Sequence, residues 1–290
     1  MYNKIVTHRP LHHADDFIGV CLLKANRMSA DIETVAPQDP RLVEWRDNPE
    51  IALVDVGRHY DPSLYCFDHH HDGELECSAV LVARFMGYQR FAASQAARFM
   101  TSKDLLGIEE ASRIHSYTTS QASARNERVL VNLGFSKPVV QAVATSAANC
   151  TESMTYDEFV AQVLARAGTQ AVGRAKSRIV GQNNKTREAL KQCELVEHGQ
   201  WRVVISREVI SSQAALAEYK AHLVISPDTM DPRNTSITTR LRGEPEQNVD
   251  LSKASDAFGM EQVFLHNGGF ISVLKGTAQD PKSALSRLLG

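Results

Sequence analysis

Ile51-Ala52-Leu53-Val54-Asp55-Val56 is apolar at every position but one, and Gly57 ends it. A strand with one wet face alternates apolar and polar residues. A run without alternation fits a strand covered on both faces, as in a parallel sheet flanked by helices. Asp55 is then a carboxylate near a buried strand end. An unpaired charge there costs several kcal/mol, so it demands a cation, a set of hydrogen-bond donors or a shifted pKa.

The neighbouring segments repeat the pattern. Ile5-Val6-Thr7-His8 reads as a short buried strand ending on a histidine, and a polar turn, Arg9-Pro10-Leu11-His12-His13, follows it. From Asp15 the spacing of Phe17, Ile18, Val20, Cys21, Leu22 and Leu23 is helical, with Asp15 and Asp16 in the acidic first turn that a helix dipole favours. Residues 32–36 form a possible strand, Leu64 to Phe67 another, and Ser78 to Met86 a helix ended by Gly87. This order predicts an α/β fold with a mostly parallel open sheet, in which ligands sit at the C-terminal ends of the strands. His8, Asp55 and Asp68 all fall at or just past such ends, so three distant segments deliver polar side chains to one rim. Seven of the eleven histidines lie in the first 71 residues, at positions 8, 12, 13, 59, 69, 70 and 71. That crowding favours a metal cluster.

Residues 89 to about 195 read as mostly helical. Arg174 to Lys191 is polar and basic, with Gly181-Gln182-Asn183-Asn184 as a break and the place for an interdomain connector. After it the texture is β-like at Trp201–Ser206, His222–Ser226, Ser236–Leu241, Gln262–His266 and Phe270–Leu274, and helical at Asp280–Leu289. The expected division is a metal-binding domain over 1–180 and a smaller α+β domain over 195–290.

Composition sets limits. Net charge is −2, which excludes a general polybasic coat and leaves only a local basic groove for nucleic acid. No apolar run reaches the roughly 20 residues of a membrane helix, and Met1-Tyr2-Asn3-Lys4 opens no signal-peptide core. The five cysteines are scattered and odd in number, which fits reduced thiols in a cytoplasm rather than a disulfide frame or zinc ribbon. No membrane partner is expected; the oligomeric state stays open, with a homodimer as one option.

Mixed imidazole and carboxylate donors suit Mn²⁺, whereas all-oxygen sets suit Mg²⁺ or Ca²⁺. Three segments then carry a resemblance: Thr7-His8 through His13-Ala14-Asp15, Val54-Asp55-Val56-Gly57 through Tyr60-Asp61-Pro62, and Phe67-Asp68-His69-His70. Their spacing resembles the DHH phosphoesterase superfamily, and within it the melanocyte-proliferating-gene exonuclease family. Ser78-Ala79 and His266-Asn267-Gly268-Gly269-Phe270 resemble further segments of that family. The resemblance implies one ion held by His8, His13 and Asp55, and a second held by Asp15, Asp55, His69 and a fourth-motif aspartate, for which Asp104 is the best candidate. It implies that Asp68 orients the histidine pair and that His70 touches the scissile phosphate or moves a proton. It also implies substrate contacts at His266, Gly268 and Gly269. Arg240 and Arg242, with Arg233, Lys253 and Lys275 nearby, are candidates for a phosphate clamp or else an ordinary solvated face. Two positions depart from the family: Arg58 stands where it usually has Gly, and His71 replaces Gln. Both border the site, so substrate choice does not carry over.

Isolated histidines are usually surface or satisfied core residues, the reading taken for His115, His198 and His222. His59 is read as structural, and Trp201 as core. The leading functional expectation is a metal-dependent phosphodiesterase, a 3′–5′ exoribonuclease or oligonucleotide hydrolase using water activated by two divalent ions, Mn²⁺ first and Mg²⁺ second. Its partner is then RNA or a short oligonucleotide. The alternatives are a phosphohydrolase for pyrophosphate, a cyclic nucleotide or a dinucleotide, and a non-catalytic, metal-dependent RNA-binding protein.

Overall fold

The computed structural model describes residues 1–9, 13–117, 121–239, 249–265, 269 and 271–290. The chain divides into two compact units, Met1–Ile179 and Val180–Gly290.

The first unit holds a five-stranded sheet of β1 (Lys4–His8), β2 (Asp31–Val35), β3 (Ile51–Val54), β4 (Tyr60–Asp61) and β5 (Cys66–Phe67), in the order β2-β1-β3-β5-β4. The β1–β2, β1–β3 and β3–β5 pairs are parallel, and only the edge strand β4 is antiparallel. The central strands are covered on both faces, as their unbroken apolar runs require. Ile5, Ala52, Val54 and Phe67 join the main core with Phe17, Val20 and Ala79. Val6, Ile51, Leu53 and Cys66 point the other way, into a smaller cluster with Val35 and Leu42. This side-to-side division is the two-residue period of a strand expressed in packing.

Helix Ala14–Asn26 lies on the main-core side, with ten consecutive buried residues from Ala14 to Leu23. Helix Ser78–Phe85 packs beside it. Gly19 permits the close approach: a Cβ there would meet Val54 Cγ1 at 3.0 Å and Ala79 Cα at 3.5 Å. The helical stretch that follows contains Gln95–Leu106, Lys137–Ala148 and Tyr156–Ala167. The last begins with a capping box in which Thr155 and Glu158 satisfy each other's backbone amides. The expected break at residues 181–184 is absent. Thr169–Leu190 is one continuous helix; Gln182 is a good helix former, Asn183 and Asn184 are only mildly poor ones, and the single Gly181 costs about 1 kcal/mol, too little to end a 22-residue helix.

The second unit is α+β. Its six-stranded sheet contains β6 (Glu194–His198), β7 (Trp201–Ile205), β8 (Leu223–Pro227), β9 (Thr235–Thr239), β10 (Gln262–Leu265) and β11 (Ile271–Leu274), in the order β10-β11-β9-β8-β7-β6. Among the described strand pairs only β7–β8 is parallel, and helix Ser212–Glu218 supplies the crossover between them. Strand β6 and this helix are absent from the sequence reading. β6 is an edge strand with no fully buried residue, so it carries no apolar run to betray it. Trp201 packs against the core of this unit and meets the His222 ring edge-on at 5.6 Å, while His222 Nδ1 accepts the Arg202 amide.

Candidate metal centre

The C-terminal ends of β1, β3 and β5 lie side by side in the sheet and deliver His8, Asp55 and Asp68 to one rim. Asp55 is not part of its strand. It follows Val54 at φ +59°, in the left-handed region, and Gly57 (φ +99°) and Arg58 (φ +51°) continue the turn. A non-glycine residue at such an angle holds strain of about 1–3 kcal/mol, and such strain concentrates at functional sites. The Gly that the resemblance expects at position 58 is explained by that angle; here Arg occupies it, and its amide donates to Asp68 Oδ2 at 2.6 Å.

Asp55, 3% exposed, is the hub. Its Oδ2 lies 3.0 Å from His8 Nε2. Its Oδ1 lies 3.3 Å from His69 Nε2 and accepts the buried Ser78 hydroxyl at 2.9 Å. On the far side of His69, the same Nε2 is 2.9 Å from Asp104 Oδ2, and Asp104 Oδ1 is 3.4 Å from His13 Nδ1. Donor atoms thus gather in three overlapping groups: His8, His13, Asp16 and Asp55; Asp55, His69 and His70; and His13, Asp15 and Asp104. All six residues named from the sequence as ion ligands enter these groups.

Asp104 stands in the last turn of helix Gln95–Leu106, where the macrodipole disfavours a carboxylate. Its histidine contacts, rather than helix capping, account for its position.

Asp68 behaves differently from the expectation. It accepts the His70 amide at 2.9 Å and faces His70 Nδ1 at 2.7 Å, fixing that ring. It makes no described contact with His69, whose Nδ1 has no hydrogen-bond partner. Asp68 therefore orients one member of the pair rather than both. His70 keeps about half of its side chain open to solvent, at 47%.

Asp16 and Ser78 are absent from the sequence-derived site. Asp16 reads from sequence as an ordinary first-turn acid, yet it is wholly buried and its Oδ2 lies 3.1 Å from His8 Nε2. Ser78 carried a signal in its resemblance to a family segment, but its role requires seeing the hydroxyl on Asp55. His12, Arg240, Arg242, His266 and Gly268 lie outside the described residues. Gly269 is described, with φ +69°. His115 meets Ser102 Oγ through Nε2 at 2.8 Å and has a structural role.

The protonation preferences show what the cluster lacks. Burial and the charges of Asp104, Asp55 and Asp16 push Asp15 well above the usual carboxylate range. Burial and the Asp55 charge raise Asp16 to about 7. Burial opposes charge on His8, but Asp16 and Asp55 lift it to about 11. Burial likewise opposes charge on His69, while Asp104 and Asp55 lift it to about 10. Burial resists ionisation of Asp55 as well, but its histidines hold it well below the usual range. Buried acids that resist ionising beside imidazoles that resist losing protons mark a site short of positive charge. Asp15 Oδ2, both Asp16 oxygens and both His69 nitrogens are buried without a hydrogen bond. Close donor atoms in a mixed nitrogen and oxygen set are the kind of grouping that could hold divalent cations.

Residues 4–79 match a family model, MYG1_exonuc, described as an uncharacterised protein family (UPF0160). That span contains every residue of the metal-donor groups except Asp104. No curated protein sequence matches the chain. Among solved structures the chain is similar to a pGpG-specific phosphodiesterase, PggH from Vibrio cholerae, with 12% identity, coverage of 99% of this chain and 97% of that chain, and a TM-score of 0.49. No described helix is long and apolar enough to cross a membrane.

Proposed function

We propose that this chain is a metal-dependent phosphodiesterase that trims RNA or short oligonucleotides from the 3′ end, as a cytoplasmic 3′–5′ exoribonuclease. The observation that carries the metal-dependent part is the sharing of Asp55 between two donor groups, one through His8 and one through His69. A single carboxylate serving two groups is the arrangement a two-ion phosphodiesterase needs. The family-model match over residues 4–79 supports the same class.

His8, His13 and Asp55 would hold one ion, and Asp15, Asp55, His69 and Asp104 the other. When bound, divalent ions, Mn²⁺ first or Mg²⁺, stabilise charge on a phosphoryl group and lower the pKa of water. The chain's own residues do the rest. Ser78 pins Asp55 Oδ1 by donating to it, so the shared carboxylate keeps one orientation. Asp68 holds His70 by both its amide and Nδ1, leaving the other ring nitrogen of a half-exposed imidazole to meet a phosphate oxygen or pass a proton. Glycines and cations of the second unit, Gly269 with Arg240, Arg242, His266 and Gly268, are the proposed substrate contacts.

The test is incubation of the purified chain with Mn²⁺ and, in parallel, end-labelled RNA, end-labelled DNA, a dinucleotide and pyrophosphate. Stepwise shortening of 3′-extended RNA, lost in Asp55→Ala, is the expected result. Turnover of pyrophosphate or dinucleotide alone replaces the substrate. No turnover of any arm, with metal bound, makes the chain a non-catalytic binder.

A further inference from the structure

Asp15 and Asp16 are consecutive on a helix, so their side chains leave the axis about 100° apart. They cannot serve the same point in space, and they do not. Asp15 gathers with His13 and Asp104, whereas Asp16 gathers with His8, His13 and Asp55. Both are buried, at 1% and 0% exposure. We propose that Asp16 is a direct ligand of the divalent ion at His8 and Asp55, giving that ion a second carboxylate. This rests on the metal-centre reading above and extends it by one residue.

Three observations carry it. Asp16 has no hydrogen bond to either oxygen despite complete burial. Its single described ion-pair partner is His8, and no described lysine or arginine reaches it. A carboxylate so placed, beside the further negative charge of Asp55, either takes up a proton or has its charge offset by a cation, and a cation at His8 and Asp55 lies within its reach.

The geometry also separates a ligand from a residue that merely positions His8. His8 Nε2 lies 3.1 Å from Asp16 Oδ2, and the same Nε2 is 3.0 Å from Asp55 Oδ2. One nitrogen cannot donate a proton to Asp16 and a lone pair to a metal. If His8 binds through the nitrogen that faces the cluster, Asp16 loses its one described ion-pair partner and keeps only the like-charged Asp55 beside it, and an ion shared with Asp55 offsets both charges. The charge balance agrees. Asp15, Asp16, Asp55 and Asp104 together carry −4, which matches two divalent cations. Without Asp16 the protein would supply −3.

The experiment is titration of the full chain and of Asp16→Asn with Mn²⁺, read by calorimetry and by the electron paramagnetic resonance of bound manganese. The parent is expected to bind two ions. Asp16→Asn should keep one near parental affinity and weaken the other about tenfold or more. Two ions bound by the variant with parental affinities overturn the proposal. Anomalous diffraction from Mn²⁺-loaded parent crystals gives a reading that needs no variant. A peak within about 2.5 Å of an Asp16 oxygen supports the proposal, and ions lying away from it overturn it. A parent that binds no divalent ion overturns the metal-centre reading as well, so the two failures are distinct.

Discussion

His69 Nε2 lies 2.9 Å from Asp104 Oδ2, joining the loop after β5 to the last turn of a helix. A carboxylate in that turn opposes the helix dipole, typically by about 0.3–1 kcal/mol, so the histidine contact has to outweigh a local penalty. Burial works against ionised Asp104, but His13 and His69 hold it below the usual carboxylate range. Asp104→Asn is therefore expected to weaken Mn²⁺ binding about 10- to 100-fold, a loss of roughly 1.4–2.8 kcal/mol. Calorimetric titration checks this. Parental affinity in the variant removes Asp104 from the ligand set.

Protons should leave when metal binds. His8 at about 11 and His69 at about 10 are both charged at pH 7 in the metal-free chain, and each must lose a proton to coordinate. Calorimetry in buffers of different ionisation enthalpy should show proton release, and Mn²⁺ affinity should rise with pH above 7. Metal-free stability runs the other way. Both folded pKa values stand above the unfolded imidazole value, so these pairs stabilise fully below about pH 6.5, and that contribution is lost as pH rises toward 10–11. Asp16, at about 7, binds more protons folded than unfolded between about pH 4 and 7, so it too lowers stability as pH climbs through that window. Unfolding of chelator-treated protein across pH 5–10 should show a steady decline. A rise over that range would contradict the assignment.

Much of this centre was readable from residue order, for a physical reason. Strand ends are marked by apolar runs, and β1, β3 and β5 all end beside a polar residue, so His8, Asp55 and Asp68 announced the rim. Asp16 was hidden because an acid in a helix's first turn already has an explanation in the dipole. Nothing local separates a solvated acid from one turned into a core. Ser78 and the Asp68–His70 pairing were hidden for a related reason: they depend on which oxygen faces which donor, and spacing does not encode that. The uninterrupted helix Thr169–Leu190 shows the opposite failure, in which turn-forming residues at 181–184 were outweighed by the helix around them.

Backbone strain at Asp55 separates two kinds of substitution. At φ +59°, asparagine is tolerated better than any β-branched residue. Asp55→Asn should fold and lose hydrolysis. Asp55→Val should lose hydrolysis and also about 1–2 kcal/mol of stability, from the wrong side chain at a left-handed position. Denaturant unfolding of both variants, without metal, decides whether the strain is real. Equal midpoints for the two would contradict it.

His70 should be separable from the ions. Its ring is half exposed and held by Asp68, so His70→Ala removes a proton-transfer or phosphate-binding group while leaving His8, His13, Asp15 and Asp104 untouched. The expected result is a fall in kcat of about 10²–10⁴ with unchanged Mn²⁺ stoichiometry. Asp68→Asn, which loses the charge that orients the ring, should fall less. A variant His70→Ala that loses a bound ion instead would make His70 a ligand.

Gly19 ties the packing of the first unit to its chemistry. The helix that carries Asp15 and Asp16 approaches β3, which leads into Asp55, at the point where Gly19 faces Val54. Gly19→Ala has two opposed effects. Helix propensity favours alanine by about 1 kcal/mol. The new Cβ, 3.0 Å from Val54 Cγ1 and 3.5 Å from Ala79 backbone, overfills a tight interface at a cost of about 1–3 kcal/mol. The second effect should win, leaving a net loss of stability and weaker Mn²⁺ binding as the two acids move off the Asp55 rim. Because the nearest obstacle is a side chain, Val54→Ala should relieve it. The double variant is then expected to be more stable than the sum of the two single changes allows, with a coupling of about 0.5–3 kcal/mol. Denaturant unfolding of the four proteins measures that coupling, and strict additivity would mean the helix does not rest on Val54 at this point.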